Sequence, residues 1–320
     1  MPTPEPSAQI IQGYGHVFSR NPLDRGEKER RDESKIQQMA IHPDSRFLPL
    51  RNLDLLVETA NTPHLKWLEQ NQFDKYSPDG GAIFLGILDG IYHYAFEVSI
   101  ETLSDVDLRT VSPTLRFVDV RTCGQMLSRE DAGISAQARI QTYWHQQYRF
   151  CPACGFETKM KRGGQARSCE NCSKDNFPRT DPVIIVVVHD GDRCLLGQSS
   201  GRLQRTNTYS ALAGFVDQGE SIEEAVAREV MEEAGIEVKH VKYHSSQPWP
   251  MPYSLMIGCH AEAATTEINM DPDEMIDVKW FSRDEILSAL NNENQMLKIP
   301  MEMAIAHHLV KSWALGEITT

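Results

Sequence analysis

Two C-x2-C pairs, Cys151-Pro-Ala-Cys154 and Cys169-Glu-Asn-Cys172, stand fourteen residues apart and constrain this 320-residue chain more than any other feature. Each pair sits on a tight turn that aims two thiolates at one point, and two such turns close a tetrahedral shell around zinc. Four sulfur ligands leave no open position, so the zinc expected at Cys151, Cys154, Cys169 and Cys172 is structural rather than catalytic. The other three of the seven cysteines, Cys123, Cys194 and Cys259, are isolated and read as buried small apolar residues. Between the pairs, K-M-K-R-G-G-Q-A-R (159–167) is basic, which suits either a nucleic-acid contact or a solvated ribbon tip. The cluster leaves stretches of domain length on both sides, and an apolar content of 40% supplies enough side chains for two cores.

Charge and hydropathy exclude several classes. Lys and Arg number 32 against 45 Asp and Glu, a net −13, which argues against a globally basic surface that holds nucleic acid by phosphate neutralisation. The longest apolar run, 183–188, has six residues, whereas a membrane-spanning helix needs roughly 20. No membrane partner is expected. The start, M-P-T-P-E-P-S, lacks the basic and then apolar character of an export signal, and the final E-I-T-T carries no address signal. With an odd cysteine count, these features lead to the expectation of a reducing cytoplasm.

Residues 1–40 include a mixed-charge stretch, 25–35, without apolar period, and read as a flexible segment. A domain is expected over 41–147. Asp89-Gly90 between two apolar runs, 81–88 and 91–98, is a hairpin signal, and Ile134, Ala138, Tyr143, Trp144 and Tyr148 fit a helix. The ribbon follows over 148–178 and a third domain over 179–320. In the latter, D-P-V-I-I-V-V-V reads as a buried strand, Asp190-Gly191-Asp192 as a turn into a second strand, and 222–234 as a helix. Further strands are expected near 238–243, 254–260 and 277–281, with helices towards the C-terminus. Strands and helices mix without regular βαβ alternation, so the class is α+β, a sandwich rather than a doubly wound sheet.

Residues 214–236, G-F-V-D-Q-G-E-S-I-E-E-A-V-A-R-E-V-M-E-E-A-G-I, carry the chemistry. Ser221 with Glu224 forms a capping box at the helix start, and Gly235 ends the helix. At about 100° per residue, Ile222, Ala225, Val226 and Val230 form one apolar face, and Glu229, Glu232 and Glu233 continue it. Three carboxylates within five residues repel one another, and burying an unpaired charge is costly. Arg228 reaches Glu224 or Glu232 at helical spacing and answers only part of this charge. The remainder suits a hard divalent ion, magnesium or manganese.

The same residues spell G-x5-E-x7-R-E-x2-E-E-x-G, with Gly214, Glu220, Arg228, Glu229, Glu232, Glu233 and Gly235 in place, and this resembles the box of the Nudix hydrolases. The segment S-Q-P-W-P-M-P-Y-S (246–254) is similar to the S-Q-P-W-P-F-P-x-S signature of the NADH pyrophosphatase subfamily, with Met251 where the family usually has Phe. If that ring stacks a base, the change weakens rather than abolishes the contact. The zinc cluster and the order of parts also match that subfamily.

The resemblance implies a Nudix α/β/α sandwich with a mixed sheet, preceded by the zinc ribbon and an N-terminal Nudix-like domain without a box. It implies a homodimer that splits NADH, NAD+ or a related dinucleotide into nicotinamide mononucleotide and AMP, and extends to NAD-capped RNA. It places the magnesium or manganese on Glu229, Glu232, Glu233, Glu274 and the carbonyl of Ala213. Glu232 is a further ligand or the proton acceptor, Arg228 orients a glutamate, and Glu220 supports the loop. Substrate contacts are implied at Phe177, Phe215, Gln247, Pro248, Trp249, Pro250, Met251, Pro252, Tyr253, Ser254, Ala306 and Arg121. Two other readings stay open. One is a nucleotide-sensing zinc-ribbon module whose Nudix domain lacks turnover, against which the intact glutamates speak. The other is a hydrolase preferring ADP-ribose or diadenosine polyphosphates, against which the proline-rich signature speaks.

Overall fold

The structure, a computed structural model, describes residues 15–77 and 81–318. The M-P-T-P-E-P-S start and the last two residues of E-I-T-T lie outside the described residues. The chain forms two compact units. One comprises Val17–Thr180 with Trp249–Tyr253, and the other contains 15–16, Asp181–Pro248 and 254–318.

The first unit begins inside the stretch expected to be flexible. Asp32 caps helix α1 (Glu33–Ala40) by accepting from the Ser34 and Lys35 N–H groups, and Ile36 and Met39 enter the core, as do Val17, Phe18 and Leu23. The expectation of a solvated loop therefore fails for this part of 1–40. Two apolar residues three apart give a short charged helix one buried edge, too brief a pattern to register as a period. Next come β1 (Arg46–Arg51), β2 (Asp54–Glu58), β3 (His64–Leu65), α2 (Gln70–Tyr76), β4 (Ile83–Leu88) and β5 (Ile91–Glu97). Helix α3 (Asp105–Val111), β6 (Leu115–Val118), α4 (Val120–Met126) and α5 (Arg129–Gln147) complete the domain. Its sheet runs β3-β2-β1-β5-β4, with β6 on β2, and β1 and β5 are parallel. Asp89 and Gly90 both have positive φ (51° and 78°) in the two-residue turn joining β4 to β5, the primed hairpin that Asp-Gly favours. Strands β7 (Thr158–Lys161), β8 (Ala166–Cys169) and β9 (Asp175–Asn176) form the three-stranded antiparallel ribbon.

The second unit holds β10 (Asp181–His189), β11 (Arg193–Ser199), α6 (Arg202–Thr206), β12 (Leu212–Phe215) and α7 (Ile222–Ala234). It continues with most of β13 (Val238–Trp249), β14 (Ser254–Ala263), β15 (Met275–Ser282), α8 (Arg283–Leu290) and α9 (Ile305–Ala314). The sheet order is β13-β14-β10-β11-β15, with β12 also on β10. Strands β10 and β14 are parallel, and the β10–β11, β10–β12 and β11–β15 pairs are antiparallel. Alternate side chains of β10 serve two cores. Ile184, Val186 and Val188 pack with Ala225, Val226 and Val230 of α7. Ile185 and Val187 pack with Ile286 of α8 and Leu309, Val310 and Trp313 of α9. A central strand covered on both faces explains the unbroken Val/Ile run, and the arrangement is the expected α/β/α sandwich. No helix among the described residues is long and apolar enough to cross a membrane.

Within the first unit, helix α5 is tied to the ribbon by His145. Its Nε2 lies 2.9 Å from the Gly164 carbonyl, and its Nδ1 lies 3.0 Å from the Arg167 guanidinium, which donates to it. The ring is thus neutral with the proton on Nε2. Burial first, and then the Arg167 charge, push the imidazole down to about 4. Between that value and the unfolded value of about 6.5 the unfolded chain binds more protons, so stability falls as pH drops through this window. Wild-type protein is expected to lose about 3 kcal/mol more than His145→Gln between pH 7 and 4 in denaturant titrations; parallel pH profiles would refute the assignment.

Candidate active site

Strand β12 and helix α7 build the site. Gly214 pairs with Ile184 and Ala213 with Ile185. A Cβ on Gly214 would stand 1.8 to 2.1 Å from the carboxyl atoms of Glu229, so only glycine lets that carboxylate lie against the strand. Helix α7 starts where expected. Ser221 accepts from the Glu224 N–H, the Glu224 carboxylate accepts from the Ser221 N–H, and Gly235 at φ 67° closes the other end.

Arg228 makes five donor contacts. Nε donates to Glu220 Oε1 (2.6 Å), Nη1 to Glu229 Oε1 and Glu232 Oε2 (both 2.9 Å), and Nη2 to Glu220 Oε2 and the Phe215 carbonyl (both 2.9 Å). That is the full donor capacity of a guanidinium. Glu220 also accepts from the Asp217 N–H, so it braces the turn between β12 and α7, and Arg228 pulls its carboxyl down to about 2. Glu224, the other acid within helical reach of Arg228, is engaged in the cap instead.

The remaining carboxylates have no comparable partner. Glu229 is 9% exposed, and burial raises its pKa, with Arg228 opposing and Glu232 and Glu274 adding to the rise. Burial first, then Glu229 and Glu274, push Glu233 up to about 8, against a backbone hydrogen bond from Ala213. Its Oε2 is buried without a hydrogen-bond partner. The N–H and C=O of a strand residue point to the same edge, so the Ala213 carbonyl lies on the edge whose N–H bonds this carboxylate. A buried acceptor beside three other carboxylates, next to a strand position where only glycine leaves room for Glu229, fits a hard divalent cation. Glu229 and Glu233 would hold it, and Glu274, whose charge acts on both, would be a further candidate ligand with the Ala213 carbonyl. Glu232 differs from expectation. Its side chain is 50% exposed, because it lies at the margin of the apolar face and reaches out to Arg228.

The residues expected to line the substrate are distributed more widely. Phe215 (59% exposed) follows the glycine of β12, while Phe177 (57% exposed) stands in the first unit. Gln247 does not present its side chain to a ligand. It is fully buried, its Nε2 donates to the Met303 carbonyl (2.8 Å), and its Oε1 accepts from the Ile305 N–H (2.8 Å) at the start of α9. Ala306, the second residue of α9, likewise packs in the core rather than facing out. Ser246 to Trp249 end strand β13 instead of forming a loop, and buried Ser254 opens β14 opposite Asp181. Pro248 lies in the second unit, whereas Trp249, Pro250, Met251, Pro252 and Tyr253 belong to the first, with a cis bond before Pro252. There the Arg121 guanidinium lies 5.5 Å from the Trp249 ring. No local pattern in the sequence pairs this segment with its partners, Phe18, Arg139, Tyr143 and Arg179.

The ribbon cysteines converge. All four Sγ atoms lie within 4.8 Å of one another, with separations of 3.4 to 3.6 Å for three pairs. A tetrahedral S4 zinc site requires about 3.8 Å between sulfurs, and a disulfide about 2.05 Å, so the donors fit a zinc ion and not a bridge. Among the described residues only these four bring ligand atoms that close together.

Two outcomes follow. Elemental analysis is expected to return one zinc per chain, lost in Cys151→Ser; retention of zinc in that variant would contradict the assignment. Gly214→Ala is expected to fold with a stability change within about 1 kcal/mol, since the Glu229 tip can swing aside, yet to lose about 100-fold in hydrolysis. Unimpaired turnover in that variant would remove Glu229 from the site.

Family models match three segments: the NUDIX domain over 178–300, the NADH pyrophosphatase-like rudimentary NUDIX domain over 44–144, and the NADH pyrophosphatase zinc ribbon domain over 146–175. The chain is 36% identical over 344 residues to the NAD-capped RNA hydrolase NUDT12 of Homo sapiens, spanning 95% of this chain and 74% of that protein. It is also 36% identical over 253 residues to the NAD-capped RNA hydrolase NudC of Mycobacterium bovis, spanning 76% and 78%. The NAD(P)H pyrophosphatase NUDT13 of Mus musculus, mitochondrial, is 39% identical over 209 residues, spanning 62% and 59%. The chain belongs to the Nudix hydrolases, in the subfamily of the NADH pyrophosphatases and NAD-capped RNA hydrolases.

Proposed function

We propose that this enzyme hydrolyses the pyrophosphate bond of NADH or NAD+, releasing AMP and the corresponding nicotinamide mononucleotide. The observation that carries the reading is Oε2 of Glu233 on the box helix, buried without a hydrogen-bond partner among other carboxylates, a site that calls for a divalent cation. When bound there, magnesium or manganese neutralises the phosphates and lowers the pKa of a water. Glu229 and Glu233 hold the ion from the buried side, and Arg228 keeps Glu229 in place. Glu232 is the most exposed acid of the three, and it serves as a third ligand or as the proton acceptor. The exposed rings of Phe215 and Phe177 offer faces on which a base or nicotinamide can stack.

The names of the relatives favour two substrates of one chemistry. NAD(P)H pyrophosphatase and NAD-capped RNA hydrolase both act at the same kind of pyrophosphate bridge, so removal of NAD caps from RNA 5′ ends belongs to this proposal. The family resemblance supports a homodimer, and the zinc-type use of four cysteines supports a cytoplasmic setting.

The test is purified protein with NADH and magnesium or manganese, products separated by chromatography. AMP and reduced mononucleotide are expected, with kcat lowered at least about 100-fold in Glu233→Gln. Failure of the wild type on NADH and NAD+ with either metal would leave nucleotide sensing or another substrate as the better reading.

A further inference from the structure

The segment Trp249–Tyr253 interrupts the catalytic unit yet belongs to the other one: the chain leaves the second unit after Pro248 and re-enters it at Ser254. Its chemistry makes it dependent on outside donors. Prolines at 248, 250 and 252 remove backbone N–H groups, and the Met251 N–H bonds within the turn to the Trp249 carbonyl (2.8 Å). Pro250 is buried, so its carbonyl requires a donor from elsewhere.

Arg139 supplies that donor. Its Nη1 donates to the Pro250 carbonyl from helix α5, and the charges of Asp54 and Asp119 offset its own. The flanking rings are held as well. Phe18 meets Trp249 edge-on at 6.2 Å, Tyr143 lies 5.6 Å from Tyr253, and Arg179 lies 5.2 Å from Tyr253. Helix α5 thus contributes two contacts, Arg139 and Tyr143, four residues apart on one face.

We propose that the box-less Nudix-like domain serves as a clamp that preorders the W-P-M-P-Y segment for the dinucleotide, with Arg139 as its central positioning residue. The inference rests on the proposed substrate reading together with the family resemblance, which implies substrate contacts at Trp249, Pro250, Met251, Pro252 and Tyr253. A segment already fixed before binding loses no conformational freedom when the ligand arrives, so releasing it weakens binding without touching the chemical step.

The test compares wild type, Arg139→Met, Arg139→Lys and Tyr143→Leu in NADH hydrolysis and in acrylamide quenching of Trp249, isolated by subtracting Trp249→Phe. Arg139→Met is expected to raise KM about tenfold with kcat within about threefold, and to increase Trp249 quenching. Arg139→Lys, which keeps a donor, recovers part of both. Tyr143→Leu shifts both in the same direction and stands in if Arg139→Met does not fold. Unchanged Trp249 quenching overturns the clamp, and so does increased quenching with an unchanged KM. If wild type leaves NADH intact, the substrate reading fails on its own. The quenching arm, with NADH binding measured by calorimetry in place of KM, then decides the clamp: unaltered affinity in Arg139→Met overturns it.

Discussion

A single guanidinium decides which acids of this site are neutralised and which are left wanting a cation. Arg228 spends its donors on Glu220, on one oxygen each of Glu229 and Glu232, and on the Phe215 carbonyl. That set ties helix α7 to the end of β12 and to the turn between them. It has nothing left for Glu233, whose buried oxygen stays unpartnered. The excess negative charge is therefore directed to a defined place, against Ala213 and Gly214, instead of being spread along the helix.

The rest of the second unit exists to keep that place rigid. Strand β10 is buried on both faces and pairs with β12, so the backbone of Ala213 and Gly214 is positioned by the best-packed part of the sheet. Gln247, far from the glutamates in sequence, uses both ends of its amide to start helix α9, which covers the other face. Polar groups buried and bonded at both ends in this way specify one arrangement, because any other leaves a buried donor or acceptor unmade.

What the sequence revealed and what it hid follow the range of the interactions. The capping box of Ser221 and Glu224, the Asp89-Gly90 turn and the convergence of four cysteines are legible because each depends on residues a few positions apart, or on ligand types that suit only one metal geometry. The i,i+4 contact of Arg228 with Glu232 belongs to the same class, whereas its contact with Glu220, eight residues away across a turn, requires the fold. Helix α1 was hidden because its two buried residues are too few to mark a period in a charged stretch. Gln247 and Ala306, substrate contacts by resemblance, have buried side chains, which a motif does not foretell because it states which residues recur and not which way they point. Arg139 meets Pro250 across 111 residues, and no local pattern announces such a pair.

The central claim is that the box helix leaves the Glu233 carboxylate, beside a Glu229 that Arg228 answers on one oxygen only, as a cation site. Anomalous diffraction at the manganese edge, from crystals grown with manganese, tests it most directly. The account predicts a peak within bonding distance, roughly 2.2 Å, of a Glu233 oxygen and beside Glu229. No peak there, or manganese bound only at other carboxylates of the chain, would contradict it.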